Sequence, residues 1–149
     1  MSTKPVALVL GMASVAGKQM ATRLVEEGYV VYSVRRPGHR AIDFADFVGA
    51  GGIELIADLS DGDSLTAAID TIVLLHDGID ALIGAYGAHC PQEEERSFRR
   101  WVHFCLPHMK ARRRGRIVGF SKGSWLRRLR FEVEPFGIHV ELGEIGLRN

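Results

Sequence analysis

An apolar run, VALVL at 6–10, leads straight into a loop of small residues, GMASVAG at 11–17. Gly11 and Gly17 bracket that loop and Ser14 lies inside it. Where a buried strand passes through such a loop into a helix, the first helical N–H groups have no backbone acceptor. They can hold an anionic group, a pyrophosphate above all. Other residues with chemical potential are less well arranged. His89 adjoins Cys90, and His103 lies near Cys105 and His108. Neighbours in sequence do not make the convergent ligand set that zinc needs, so no metal site is expected and Cys105 reads as a small buried hydrophobe. Lys110, Arg112, Arg113, Arg114 and Arg116 form the densest basic run, followed by Arg127, Arg128 and Arg130. No stacking or base-reading motif accompanies them, and nucleic acid is not an expected partner.

The elements that would position these residues alternate along the chain. Strand patterns at 6–10, 29–34, 53–57, 81–83, 115–120 and 138–142 are separated by helical patterns at 18–27, 41–48, 61–75, 93–111 and 125–134. Apolar residues recur at helical spacing in Met20, Ala21, Leu24 and Val25, and again in Leu65, Ala68, Ile69 and Ile72. Asp61 reads as a helix cap or first-turn residue. Pro107 should disturb the helix that contains it. Strict alternation of strand and helix predicts an α/β fold: a Rossmann-like, doubly wound parallel sheet of about six strands, with a single layer of helices on each face. No linker or repeat divides the 149 residues, so one domain over 1–149 is expected.

Composition agrees with a globular chain, at 46% hydrophobic and 25% charged residues with a net charge of +1. The charge is unevenly spread. Residues 1–98 hold 7 Lys/Arg against 14 Asp/Glu, and residues 99–149 hold 12 against 4. Such asymmetry suits a polyanion-binding face, an interface, or simply a solvated helix flank. Two cysteines without a CxxC spacing point to a reducing, cytoplasmic setting, and no apolar stretch reaches membrane-spanning length.

Residues 6–21 resemble the opening of the short-chain dehydrogenases/reductases, in which a threonine and TGxxxGxG follow the first strand. Gly11 and Gly17 match the outer glycines, while Leu10 replaces the threonine and Val15 the middle glycine. The middle glycine lets backbone approach phosphate, so valine brings bulk to the place a diphosphate would occupy. Arg35 and Arg36 follow the second strand, where the family contacts the adenosine ribose. The resemblance implies NADP rather than NAD, because arginine suits a 2′-phosphate and an acid suits the free hydroxyl. An exposed basic turn is the alternative. Asp58 resembles the aspartate that contacts the adenine edge. IDALIGAYGA at 79–88 resembles the family's IDxLVNNAG: Gly87 keeps the last glycine, Gly84 and Ala85 replace the paired asparagines, and Tyr86 replaces the alanine.

LPHMKARRRGRIVGFSKGS at 106–124 is similar to the family's approach to its catalytic serine. Ser121 matches the first serine of that motif, and Lys122 falls at the second, catalytic position. The helix that should follow with Tyr-x-x-x-Lys is missing that pair, and no tyrosine occurs after Tyr86. His103 is the nearest stand-in for the family's relay asparagine. GEIG at 143–146 resembles the substrate-side turn, and the sequence stops before a substrate cap. Trp125, Leu126, Leu129 and Phe131 would cover either an interface or the core.

The resemblance therefore implies a shortened short-chain dehydrogenase/reductase-like protein that binds NAD(P)(H), with hydride transfer impaired or absent. Its cofactor contacts would be Gly11, Ser14, Gly17, Arg35, Arg36, Asp58 and Gly87. One alternative is a structural or interaction protein on a trimmed fold without cofactor. Another is an active oxidoreductase acting on a small carbonyl or alcohol, with Ser121 and Tyr86 as atypical catalytic residues. Self-association is expected through the shortened helices.

Overall fold

VALVL forms strand β1 (Val6–Leu10), and all five of its residues are buried. A central strand of a parallel sheet needs apolar side chains on both faces, which explains the continuous run. The other strands are β2 (Val30–Arg35), β3 (Ile53–Ile56), β4 (Ala81–Gly84), β5 (Gly115–Gly119) and β6 (Ile138–Leu142). They form one sheet in the order β3-β2-β1-β4-β5-β6, with every pair parallel. The computed structural model describes residues 4–11, 15–35, 45–58, 61–85, 92–119 and 125–142.

The helices are α1 (Val15–Glu26), α2 (Ala45–Gly49), α3 (Gly62–His76), α4 (Gln92–Arg112) and α5 (Trp125–Val133). Period-two alternation in the strands assigns them to faces. Ala7, Val9 and Val31 pack with Ala21 and Leu24 of α1 and Phe47 of α2. Val6, Leu8, Leu10 and Tyr32 pack the other way, against Leu65 and Ile69 of α3, Phe98 and Trp101 of α4, and Leu126 of α5. The sheet is thus covered by helices on both faces, as the alternation predicts.

Three local readings need correction or refinement. Arg35 is the last residue of β2, in register with Ile56, and does not follow the strand. Its carbonyl accepts the Ala57 N–H at 3.3 Å, so β3 holds it in the ladder. Helix α1 starts at Val15, three residues earlier than the helical pattern expected at 18–27. Helix α4 runs unbroken through Pro107. An interior proline costs about 3 kcal/mol, but Phe98, Trp101, Cys105 and Met109 are buried along the same helix, and each such side chain contributes roughly 1.5–3 kcal/mol.

The ends of α3 follow from its flanking residues. Asp61 caps the start, its carboxylate accepting the Asp63 N–H at 3.0 Å, and Asp77 closes the end in a left-handed conformation (φ 68°). At the amino ends of the strands, the Asp80 carboxylate accepts the Val6 N–H at 2.8 Å and an Arg114 N–H at 2.7 Å, with Arg112 at 3.5 Å. Among the described residues, no helix is long and apolar enough to cross a membrane.

Candidate functional site

The strand order reverses between β1 and β4, and sheets of this kind bind ligands beyond the carboxyl ends of the strands at such a switch point. The Ala85 N–H donates to the Leu10 carbonyl at 2.9 Å and fixes the two exits together. Gly11 leaves β1 with φ +91°, a conformation that side chains disfavour. Helix α1 begins four residues later, at Val15. Gly17 is buried in its early turns, allowing the helix to lie close to the sheet. No acidic residue sits in the first turn, and Lys18 is exposed beside it, so the positive end of the helix is not neutralised by a side chain of that turn. Val15, expected to crowd the phosphate path, is the first helical residue and is 70% exposed. It makes no core contact there; its apolar surface faces outward at the mouth of the helix.

Two other predicted positions reach the same edge. The Arg35 guanidinium ends β2 and lies 3.1 Å from a Glu54 carboxylate oxygen on β3, both side chains being largely buried. Asp58 follows β3 and is exposed. Its N–H donates to Ser64 Oγ at 3.0 Å, and its carbonyl accepts the Asp61 N–H at 3.1 Å. Gly11, Gly17, Arg35 and Asp58 therefore gather at the carboxyl ends of β1, β2 and β3. Ser14, Arg36, Tyr86, Gly87 and Ser121 lie outside the described residues.

The carboxyl ends of β4 and β5 are built differently. Both strands finish on glycine, Gly84 and Gly119, with the two residues in register. Phe98 of α4 fills the space beside them and is 1% exposed. A Cβ on Gly84 would lie 2.7 Å from the Phe98 ring, and one on Gly119 would lie 3.0 Å from the same ring and closer still to Leu126. Trp125 meets Phe98 edge-on, with centroids 5.5 Å apart, and the Arg99 guanidinium lies 5.1 Å from the Trp125 centroid. Sequence reasoning noted the loss of an asparagine at Gly84 but not the ring that replaces it. Two glycines at adjacent strand ends were the available signal, since such a pair invites a bulky neighbour.

His103 is not brought to these strand ends. It is exposed in the groove between α4 and α5 that Leu106, Arg128 and Glu132 also line. Cys105 is fully buried, and burial pushes its thiol up to about 12, consistent with a packing role. In α5, Leu126 and Leu129 belong to the core, Trp125 packs against it, and Phe131 faces outward.

No protein-family model and no curated protein matches the sequence. Solved structures do. A short-chain dehydrogenase from Streptomyces avermitilis superposes with a TM-score of 0.76 at 23% identity, over 96% of this chain and 65% of that one. A metagenomic short-chain oxidoreductase in complex with NADP gives 0.72 at 20% identity, over 93% of this chain and 79% of that one. An actinorhodin polyketide ketoreductase variant with NADPH gives 0.74 at 21% identity, over 93% and 69%. This chain spans just under two thirds of the length of the first of these. Its fold is that of the short-chain dehydrogenases/reductases.

Proposed function

We propose that this chain binds an NADP-type nucleotide at the carboxyl edge of its sheet and that its hydride-transfer activity is impaired or absent. The observation that carries the reading is the convergence of Gly11, the start of α1, Arg35 and Asp58 at three adjacent strand ends. Backbone N–H groups beyond Gly11 would hold the diphosphate, Arg36 with Arg35 the 2′-phosphate, and Asp58 the adenine edge. Two of the similar structures are described with NADP or NADPH, which supports the choice of nucleotide. A bound NADPH supplies a hydride. The sequence offers no Tyr-x-x-x-Lys pair to handle the accompanying proton, and an ordinary tyrosine titrates near 10.

Calorimetric titration of the folded protein with NADPH and NADH at identical salt tests this. Saturable NADPH binding is expected, weaker for NADH, and lost when Arg35 and Arg36 are both replaced by alanine. No binding of either nucleotide to demonstrably folded protein would sink the proposal.

A cofactor-free structural or interaction role is the second reading, and the Arg35–Glu54 ion pair favours it because it engages a guanidinium that a phosphate would need. The two readings predict different responses to Glu54→Gln. If Arg35 serves a phosphate, removing its carboxylate competitor should tighten NADPH binding by up to about fivefold, the worth of one partly exposed ion pair. If it does not, the variant changes only stability.

A further inference from the structure

Helices α4 and α5 both return from the carboxyl edge of a parallel sheet, so they run in the same direction and residues can be ordered along the groove between them. The groove has a volume of about 380 Å³, within the range of small-molecule sites. Arg99 and Trp125 begin it, with the guanidinium 5.1 Å from the indole centroid. Leu106 and Glu132 finish it, each seven residues further along its own helix, or about 10 Å. Val102 and Leu129 stand between these ends and are buried, which gives the groove an apolar floor. Arg128 follows one turn after Trp125 and is exposed, as are Arg99 and Glu132. The groove is therefore open to solvent, cationic over its first turn, apolar along its middle and anionic at its far end.

We propose that the α4–α5 groove is a ligand site for a medium-length acyl monocarboxylate, a reading independent of nucleotide binding at the carboxyl edge. The carboxylate lies between Arg99 and Arg128, where two guanidinium groups offer charge-assisted hydrogen bonds. The hydrocarbon chain runs over Val102 and Leu129 toward Leu106 and exchanges water for apolar neighbours. The span from Arg99 to Leu106, about 10 Å of helix, sets the chain length. Glu132 sets the selectivity. A second carboxylate at the far end of the ligand meets a like charge there, so a dicarboxylate is disfavoured. A cationic head group is disfavoured at the Arg99 end for the same reason.

Tryptophan emission reads the site directly, because Trp125 lines the groove while the other tryptophan, Trp101, is fully buried. The test titrates the whole chain with octanoate, octylamine and octanedioate at one salt concentration. Octanoate is expected to change the emission saturably and octylamine to leave it unchanged. Octanedioate should bind about fivefold or more weakly than octanoate. Replacing Arg99 and Arg128 together by alanine should weaken octanoate about tenfold or more, the worth of a hydrogen bond to a charged group. Glu132→Gln should bring octanedioate within about twofold of octanoate, a gain that loss of structure would not produce. No saturable response to octanoate, or equal responses to octanoate and octylamine, would overturn the proposal. So would a protein that sediments as a dimer, becomes monomeric on Arg128→Glu and responds to octanoate in neither form, because the groove's occupant would then be a second copy of the chain.

Discussion

Gly84→Asn is expected to destabilise the protein by about 3 kcal/mol or more, combining the strain of an overpacked core with the desolvation of an amide among apolar groups. The position is buried at the end of β4, and the Phe98 ring occupies the space its side chain would enter. Phe98→Ala alone should cost about 3–5 kcal/mol, because it empties a ring-sized volume in a packed core. The informative variant carries both changes. Asparagine can then enter the space the ring has left, so the double variant should be more stable than the sum of the single losses by about 1–3 kcal/mol. Urea midpoints of the four proteins measure this directly. Strictly additive losses would mean that residue 84 and the ring do not compete for the same space.

That pair also shows where the sequence stops being legible. The fold could be read from it because each cue was local: VALVL had to be a strand buried on both faces, a small-residue loop had to turn into a helix, and Asp61 stood where a cap belongs. The placing of Gly11, Gly17 and Asp58 at the carboxyl ends of β1 and β3 was legible for the same reason, since each follows a strand or opens a helix, whereas Arg35 ends β2 and does not follow it. The β4–β6 edge was not legible. Phe98 lies fourteen positions after Gly84 and reaches it only because α4 packs across the sheet. The Arg35–Glu54 pair was hidden in the same way: nineteen residues separate its partners, and only the β2–β3 register brings them together. Pro107 misled in the opposite direction. Its local preference to break a helix is real, and the tertiary packing of α4 outweighs it. Val15 could be identified as an anomaly, but its outward direction depended on where α1 starts.

Asp80→Asn is expected to cost about 2–3 kcal/mol at neutral pH and to remove part of the protein's acid sensitivity, with the carboxyl edge of the sheet unaffected. Asp80 sits at the amino end of β4, where it joins the start of β1 to the segment between α4 and β5 through Val6, Arg112 and Arg114. Partial burial pushes its carboxyl up, but the Val6 N–H, the Arg114 hydrogen bond and the charges of Arg112 and Arg114 outweigh this and hold it below the usual carboxylate range. Its folded-state value therefore lies beneath its unfolded one, so the stabilisation is present above the unfolded value of about 3.9 and is lost as pH falls through the lowered folded value. Asparagine keeps the shape and can still accept from Val6, so the difference isolates the charge. Urea unfolding at pH 7 and at successively lower pH should show the wild-type and Asp80→Asn curves converging as acid protonates Asp80. Curves that stay parallel down through that range would show that the carboxylate contributes no linkage. Because the cluster lies at the opposite end of the strands from Gly11, Arg35 and Asp58, any nucleotide affinity should survive the substitution wherever the variant remains folded. Stability lost at one edge with binding kept at the other is the signature of a rigid sheet whose two ends do separate work.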